Sequence, residues 1–350
     1  MNVQESLMVP SLLGRAFTAD APGAAVPPGP RMNMWRQAGG VVVPLTGRLR
    51  DLLVGLWQPG DMHRRADGTL TRTPQRPVPS AGGAYPVHTH VLVGSDGLDD
   101  YAPGLYVYDH ENSQLLLRHH AHTRPDFWFE NIKAVQGSQL VFSVQPGRSF
   151  GRYRHRAWPL WIADVAYAQR AVEFLLARPL DTVAGPSEEL RRLIGVPPAA
   201  VSEVWLSHGL VPEIPLAAVS LPRGWRVDGD RSRALAARRS LHSADFVSRG
   251  DRVLLPAAVE VAGLSGQAWV SRADRVETWS VPTSAPAHVM AEAVWQAHLA
   301  AASLTYSSTL SGRWGTRPVS GIAAVDGHWI IHAVAMRDLR HGIQDRKYVS

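Results

Sequence analysis

The chain has 350 residues, is 45% hydrophobic and contains no cysteine. That is enough apolar sequence for a large core, and it removes disulfides, iron–sulfur ligation, thiolate zinc sites and cysteine nucleophiles together. Any redox chemistry must then come from a bound cofactor. The 36 basic residues against 30 acidic ones give a formal charge of +6, with Lys133 and Lys347 the only lysines. Arginines dispersed in this way argue against nucleic-acid binding and leave room for a phosphate-bearing ligand or an acidic partner.

The opening Met1-Asn2-Val3-Gln4-Glu5 has none of the features of a signal peptide, and no apolar run reaches the roughly 18 residues of a membrane span. The expectation is a cytoplasmic protein with no membrane partner. Residues 20–31 carry too much proline for a helix or a ladder, so 1–31 reads as an extended N-terminal arm. Leu45, Leu49, Leu52, Leu53 and Leu56 recur at helical spacing across Thr46 to Trp57, and Pro59-Gly60 stops that helix. A loop rich in proline and glycine follows from Pro74 to Pro86.

Val87 to Val93 reads as a strand, Gly104 to Tyr108 as a second one closing on a turn at Asp109 to Asn112, and Leu115 to Leu117 as a third. Ile162 to Leu176 is an alanine-rich helical run with Ile162, Val165, Val172 and Leu176 on one side, ended by Pro179. Residues 181–200 suggest a short helix between turns. From Pro222 to Arg233 the apolar period disappears, which places a seam between 32–222 and 231–350. Beyond it come a helix starting at Arg231, a helix over Met290 to Ser303 and an apolar strand over Trp329 to Met336. Helices and strands are intermixed, so the class is α+β.

The most distinctive local feature is Arg76-Pro77-Val78-Pro79-Ser80-Ala81-Gly82-Gly83-Ala84-Tyr85-Pro86. Small residues at 81–84 let the backbone approach a ligand and offer amide donors. An ordinary surface turn is the plain alternative. The segment resembles the Pro-Ser-Ala-Gly-Gly/Ala signature of the SagB-like dehydrogenases, a branch of the flavin-dependent nitroreductase superfamily. Pro103-Gly104-Leu105-Tyr106-Val107-Tyr108-Asp109, with Leu115 to Leu117 after it, matches that family's next signature. Arg152-Tyr153-Arg154-His155-Arg156-Ala157-Trp158 resembles its Lys-Tyr-x-x-Arg-Ala-Tyr stretch.

The resemblance implies a nitroreductase-like fold, bound FMN reoxidised by dioxygen, and oxidation of peptide-borne thiazolines or oxazolines to azoles. It also implies two partners, the modified precursor peptide and a cyclodehydratase. Its catalytic pair falls on Arg152 and Tyr153. Arg152 stands where the family has lysine, and a guanidinium that stays protonated cannot act as a base. Flanking cations would favour tyrosinate, so Tyr153 becomes the expected proton acceptor and Arg152 the group that orients substrate. A cationic surface segment facing solvent or peptide is the alternative.

Arg238-Arg239-Ser240-Leu241-His242 resembles the Arg-Arg-Ser opening with which nitroreductases hold the FMN phosphate and ribityl chain. In the family this segment precedes the Pro-Ser-Ala-Gly loop; here it follows it. The inference is two degenerate nitroreductase-like copies forming an intrachain pseudo-dimer with one composite FMN site. Arg238, Arg239, Ser240 and His242 would come from one half, and Ser80, Ala81, Gly82 and Gly83 from the other. The chain would be a monomer of this kind or a homodimer.

Other groups rank lower. His119, His120 and His122 lack carboxylate spacing for a metal and read as a solvated turn. His88 and His90 share one strand face as packing or rim residues, and Trp158 and Trp161 would either stack on a flat substrate or join the core. The rival functions are another flavin reductase with a nicotinamide donor, and a flavin-free scaffold for the precursor peptide or the cyclodehydratase.

Overall fold

The computed structural model describes residues 41–64, 69–118, 137–185, 187–194, 213–238, 246 and 254–340. The expected arm at 1–31 and His119, His120 and His122 lie outside them. The leucine pattern forms helix α1 (Gly47–Trp57), in which Leu49, Leu52, Leu53 and Leu56 are all fully buried. Burial of leucines one turn apart is what holds a helix of this length, because isolated short helices are marginal in water.

Seven strands build the larger sheet: β1 (Val41–Val43), β4 (Val87–Val93), β5 (Gly104–Asp109), β6 (Gln114–Leu117), β7 (Ser138–Val144), β8 (Thr182–Ala184) and β9 (Ile214–Leu221). Their order is β1-β6-β5-β4-β7-β9-β8, and every pairing is antiparallel. Between β1 and β4 lies a separate hairpin of β2 (Met62–Arg64) and β3 (Leu70–Pro74).

Every residue of β4 is buried because both faces are covered. Val87, Val91 and Val93 face the main core, whereas Leu92 packs with Leu105, Val141 and Ala218 against helix α4 (Glu188–Ile194). The Asp109 carboxylate organises the turn before β6, accepting from the Glu111 amide at 3.1 Å and from Asn112 Nδ2 at 2.7 Å.

A four-residue helix, α2 (Phe150–Tyr153), precedes the long α3 (Ala157–Leu175). α3 begins five residues earlier than its apolar period suggests. Pro159 falls in its first turn, where a missing N–H costs nothing. In the second part, α5 (Gly229–Ala237) starts at Asp228, whose side chain caps the Arg231 amide at 2.9 Å.

Next come α6 (Pro256–Ser265), β10 (Arg275–Pro282), α7 (Ala287–Ser311), β11 (Trp314–Val319), β12 (Ala324–Val325) and β13 (His328–Asp338). β13 is central, pairing with β10, β11 and β12. α7 runs well past the Met290 to Ser303 period. Its hydroxyl-rich last turns bond back to the helix, as with Thr309 Oγ1 to the Thr305 carbonyl at 2.9 Å, while Tyr306 stays buried. The pair α3 and α7 pack together. The main core continues across the expected seam, joining Leu52 and Trp161 to Val294, Tyr306 and Trp329. Among the described residues no helix is long and apolar enough to cross a membrane.

Candidate functional site

The loop between β3 and β4 is anchored before it reaches its glycines. Arg76 is buried; its guanidinium donates to the Trp57 carbonyl and to the His110 carbonyl, the latter at 3.1 Å, and lies 5.2 Å from the Tyr85 ring centre. The Arg76 amide in turn donates to the Tyr85 hydroxyl at 3.0 Å. Tyr85 itself sits at φ +46°, a conformation uncommon for a side chain of this size.

Ser80 and Ala81 are fixed by a residue on α3. The Ser80 hydroxyl donates to Asp164 Oδ2 at 2.8 Å, the Ala81 amide donates to Oδ1 at 3.0 Å, and Ser80 Oγ accepts from the Tyr85 amide at 2.9 Å. Asp164 is 5% exposed, and burial pushes its carboxyl up to about 7 against the opposing hydrogen bonds from Ala81 and Ser80.

Gly82 follows at φ +58°, where glycine is the residue without strain. A Cβ there would overlap the Tyr153 hydroxyl and lie 3.0 Å from Arg152 Nη1. The phenol of Tyr153 therefore rests on the bare backbone of Gly82, with the Arg152 guanidinium 5.2 Å from the phenol ring centre. α2 is held in place by Ser149, whose Oγ accepts from Trp161 Nε1 at 2.7 Å. Gly83, at φ +65°, faces the Thr73 methyl, which a Cβ would meet at 2.5 Å.

The structure thus brings Ser80, Ala81, Gly82, Gly83, Arg152 and Tyr153 together. It does not give Tyr153 the acidity expected from its cations. Burial pushes the phenol up, Arg152 opposes this, and Asp164 adds to it, with a net rise. The phenol keeps its proton at neutral pH and is a hydrogen-bond donor there. Trp158 and Trp161 are both buried and meet edge to face at 5.9 Å, so they belong to the core.

Arg238 reaches the same loop from the end of α5, but as a clamp. It is 6% exposed, and it donates to the Pro77 carbonyl at 2.7 Å through Nε and to the Arg76 carbonyl at 3.3 Å through Nη2. Its planar fork matches two successive carbonyls, so the expected phosphate contact from Arg238 is replaced by a backbone contact. Arg239, Ser240 and His242 lie outside the described residues.

His88 and His90 are buried packing residues and not rim residues. His88 Nδ1 lies 3.0 Å and His90 Nε2 2.8 Å from the Glu213 carboxylate, which also accepts from the Ser143 hydroxyl at 2.5 Å. No group of three or more potential metal ligands occurs among the described residues. On the other side of Pro77 a cleft of about 550 Å³ opens between α1 and α5, with Gln58, Gly60, Ser232 and Arg233 in its wall.

Asp164 and Glu213 are absent from the sequence-based site. An acid inside the apolar run Ile162-Ala163-Asp164-Val165 was the available signal for the first. For the second there was none, because its partners lie 70 to 125 residues away.

Among solved structures the chain is similar to a protein from Anabaena variabilis assigned as a nitroreductase, with a TM-score of 0.60 at 13% identity over 85% of this chain and 92% of that one. The fold is nitroreductase-like. A second similar structure is the E. coli microcin synthetase McbBCD complex with truncated pro-MccB17 bound, with a TM-score of 0.34 at 13% identity over 64% of this chain and 95% of that one. No family model and no curated protein matches the sequence.

The fold implies a flavin, and the described residues fit one in part. The exposed Gly82 backbone with Arg152 beside it suits the edge of a flat ring that gains negative charge on reduction, since glycine adds no side chain of its own and a cation stands alongside, with the Tyr153 phenol covering part of that backbone. The phosphate end does not fit Arg238, whose guanidinium is turned into the protein.

Proposed function

We propose that this protein is an FMN-dependent dehydrogenase that oxidises peptide azolines to azoles. The observation that supports it most is the seating of the Tyr153 phenol on Gly82. Two segments that resemble the loop and the catalytic pair of the SagB-like dehydrogenases, far apart in sequence, meet at one point on a nitroreductase-like fold.

In this reading the Ser80 to Gly83 loop and Arg152 hold the flavin ring, and Arg239, Ser240 and His242 hold its phosphate. When bound, the flavin would accept the two electrons as hydride, and the second hydrogen would leave the ring as a proton to solvent over the exposed loop. Arg152 would stabilise negative charge that develops over the loop, and Tyr153, keeping its proton, would donate a hydrogen bond to the substrate ring from its seat on Gly82. The partners would be the modified precursor peptide and the cyclodehydratase that makes the azoline. The halves 32–222 and 231–350 would be the two copies of an intrachain pseudo-dimer, a reading supported by the packing of α3 on α7.

The inward bonds of Ser80, Ala81 and Arg238 favour a second reading, a flavin-free scaffold that binds the peptide or the cyclodehydratase. The visible spectrum of the protein after reconstitution with FMN separates the two. Mass spectrometry of an azoline peptide incubated with that protein in air then tests the reaction, which removes two hydrogens from each ring. A protein that binds FMN and leaves the peptide mass unchanged would overturn the assignment.

A further inference from the structure

Among the described residues the donors to Asp164 are uncharged, the Ser80 hydroxyl at 2.8 Å and the Ala81 amide at 3.0 Å. The titratable and charged groups around it are Tyr85 from the loop, Tyr153 and Arg152 from α2, Tyr167 one turn along α3, and Arg238 at the end of α5, which faces Tyr85 and Tyr167. Among the described residues no cation bonds to the carboxylate, and it is 5% exposed. A carboxylate in that setting carries a large penalty for its charge.

We propose that Asp164 is a positioning residue for the proposed oxidation, which sets through its own protonation whether the Ser80 hydroxyl donates into the protein or out toward a ligand lying on the loop. Hydrogen-bond counting carries the argument. As a carboxylate, Asp164 accepts from both Ser80 and Ala81, and the Ser80 hydrogen is committed inward. When Oδ2 takes a proton it becomes the donor to Ser80 Oγ, which already accepts from the Tyr85 amide. Both lone pairs of that oxygen are then filled, and its hydrogen turns outward.

The Ala81 bond to Oδ1 survives in both states, so the loop keeps its shape and Gly82 still supports Tyr153. Protonation changes the polarity of the loop surface and not its position. Burial raises the carboxyl to about 7, which puts the exchange near neutrality. The flavin as ligand rests on the proposed function; the titration of Asp164 does not.

The test compares melting temperatures of the wild type and Asp164→Asn from about pH 3.5 to about pH 8. Asparagine mimics the protonated acid, so the two should melt together at the acid end. As the pH rises from the unfolded value of 3.8 to the native value of about 7, the unfolded chain ionises while the folded one resists the charge, so Asp164→Asn should become the more stable by several degrees across that window, with the gap levelling off above it. In a Ser80→Ala background the carboxylate loses one donor, its native value rises further, and the gap should keep growing to higher pH before it levels off. A gap that does not change with pH, or that favours the wild type at the alkaline end, would overturn the proposal.

FMN titrations supply the second arm. The absorption band of bound FMN should shift with pH in the wild type and stay fixed in Ser80→Ala. Failure to bind FMN would sink the proposed function while leaving the melting gap as it is. A bound flavin whose band ignores pH in the wild type would sink the hydroxyl switch alone.

Discussion

Asp164 and Glu213 are 5% and 3% exposed, and each accepts a serine hydroxyl. Burial alone would push both carboxyls up. Asp164 follows that expectation: burial raises it to about 7, opposed among the described residues by the Ala81 amide and the Ser80 hydroxyl. Glu213 goes the other way, held well below the ordinary carboxylate range by His88 and His90 at 3.0 and 2.8 Å. Burial therefore does not separate a carboxylate that holds a sheet together from one that can exchange a proton. The identity of the donors does, and only the first kind sits away from the loop on which Tyr153 rests.

Removing the Glu213 acceptor tests the structural side of this contrast, and the largest effect is expected there. Glu213→Ala leaves two imidazoles and a hydroxyl buried without their partner, which should cost about 3 to 5 kcal/mol of stability in urea denaturation. A cost below about 1 kcal/mol would mean that the cluster is not what fixes β4, β7 and β9 together.

On the functional side, Gly82→Ala places a methyl where the Tyr153 hydroxyl lies, at φ +58°. Backbone strain of this kind is worth about 1 to 3 kcal/mol. Loss of azoline turnover should exceed that loss of stability, because Tyr153 is displaced from the loop. Equal turnover in wild type and variant would separate Tyr153 from the reaction.

Asp164→Asn should have the opposite sign to Glu213→Ala. From an unfolded value of 3.8 to a native value of about 7, the native state binds the extra proton, so stability falls as pH rises through that window. Removing the charge should recover a few kcal/mol at alkaline pH.

The smallest effect concerns the buried pair His298 and His332, whose rings meet edge to face at 4.7 Å between α7 and β13. Burial pushes His298 well below its ordinary value and His332 down to about 3. Here the unfolded chain binds the protons. Stability is intact above the unfolded value of 6.5 and declines as pH falls below it. His332→Gln should flatten that acid limb in thermal melts between pH 7 and pH 5; an unchanged limb would place the acid sensitivity elsewhere.

What the sequence made legible is local. The leucines of α1, the β-branched run of β4 and the Gly104 to Asp109 strand follow from period and turn chemistry within a dozen residues. The meeting of Gly82 with Tyr153 was reachable only through resemblance, since nothing in either segment encodes the other. β10 escaped because its mostly exposed and half-buried residues leave no alternation to read. The backbone contacts of Arg238 were hidden for a related reason: an arginine bonding its own chain's carbonyls and one bonding a phosphate have the same sequence. Asp164 was visible as an acid in an apolar helix, but its partners were not.

The central claim is that Tyr153 and the loop beneath it form the site of an azoline oxidation. The most direct measurement is the peptide mass after incubation of an azoline peptide with FMN-reconstituted wild type and Tyr153→Phe, each first checked for bound flavin and for an unchanged melt. The account predicts loss of two hydrogens per ring with the wild type, and a rate lower by at least about 10²-fold with Tyr153→Phe at equal flavin content. Wild-type turnover by Tyr153→Phe, or no mass change with either protein, would contradict it.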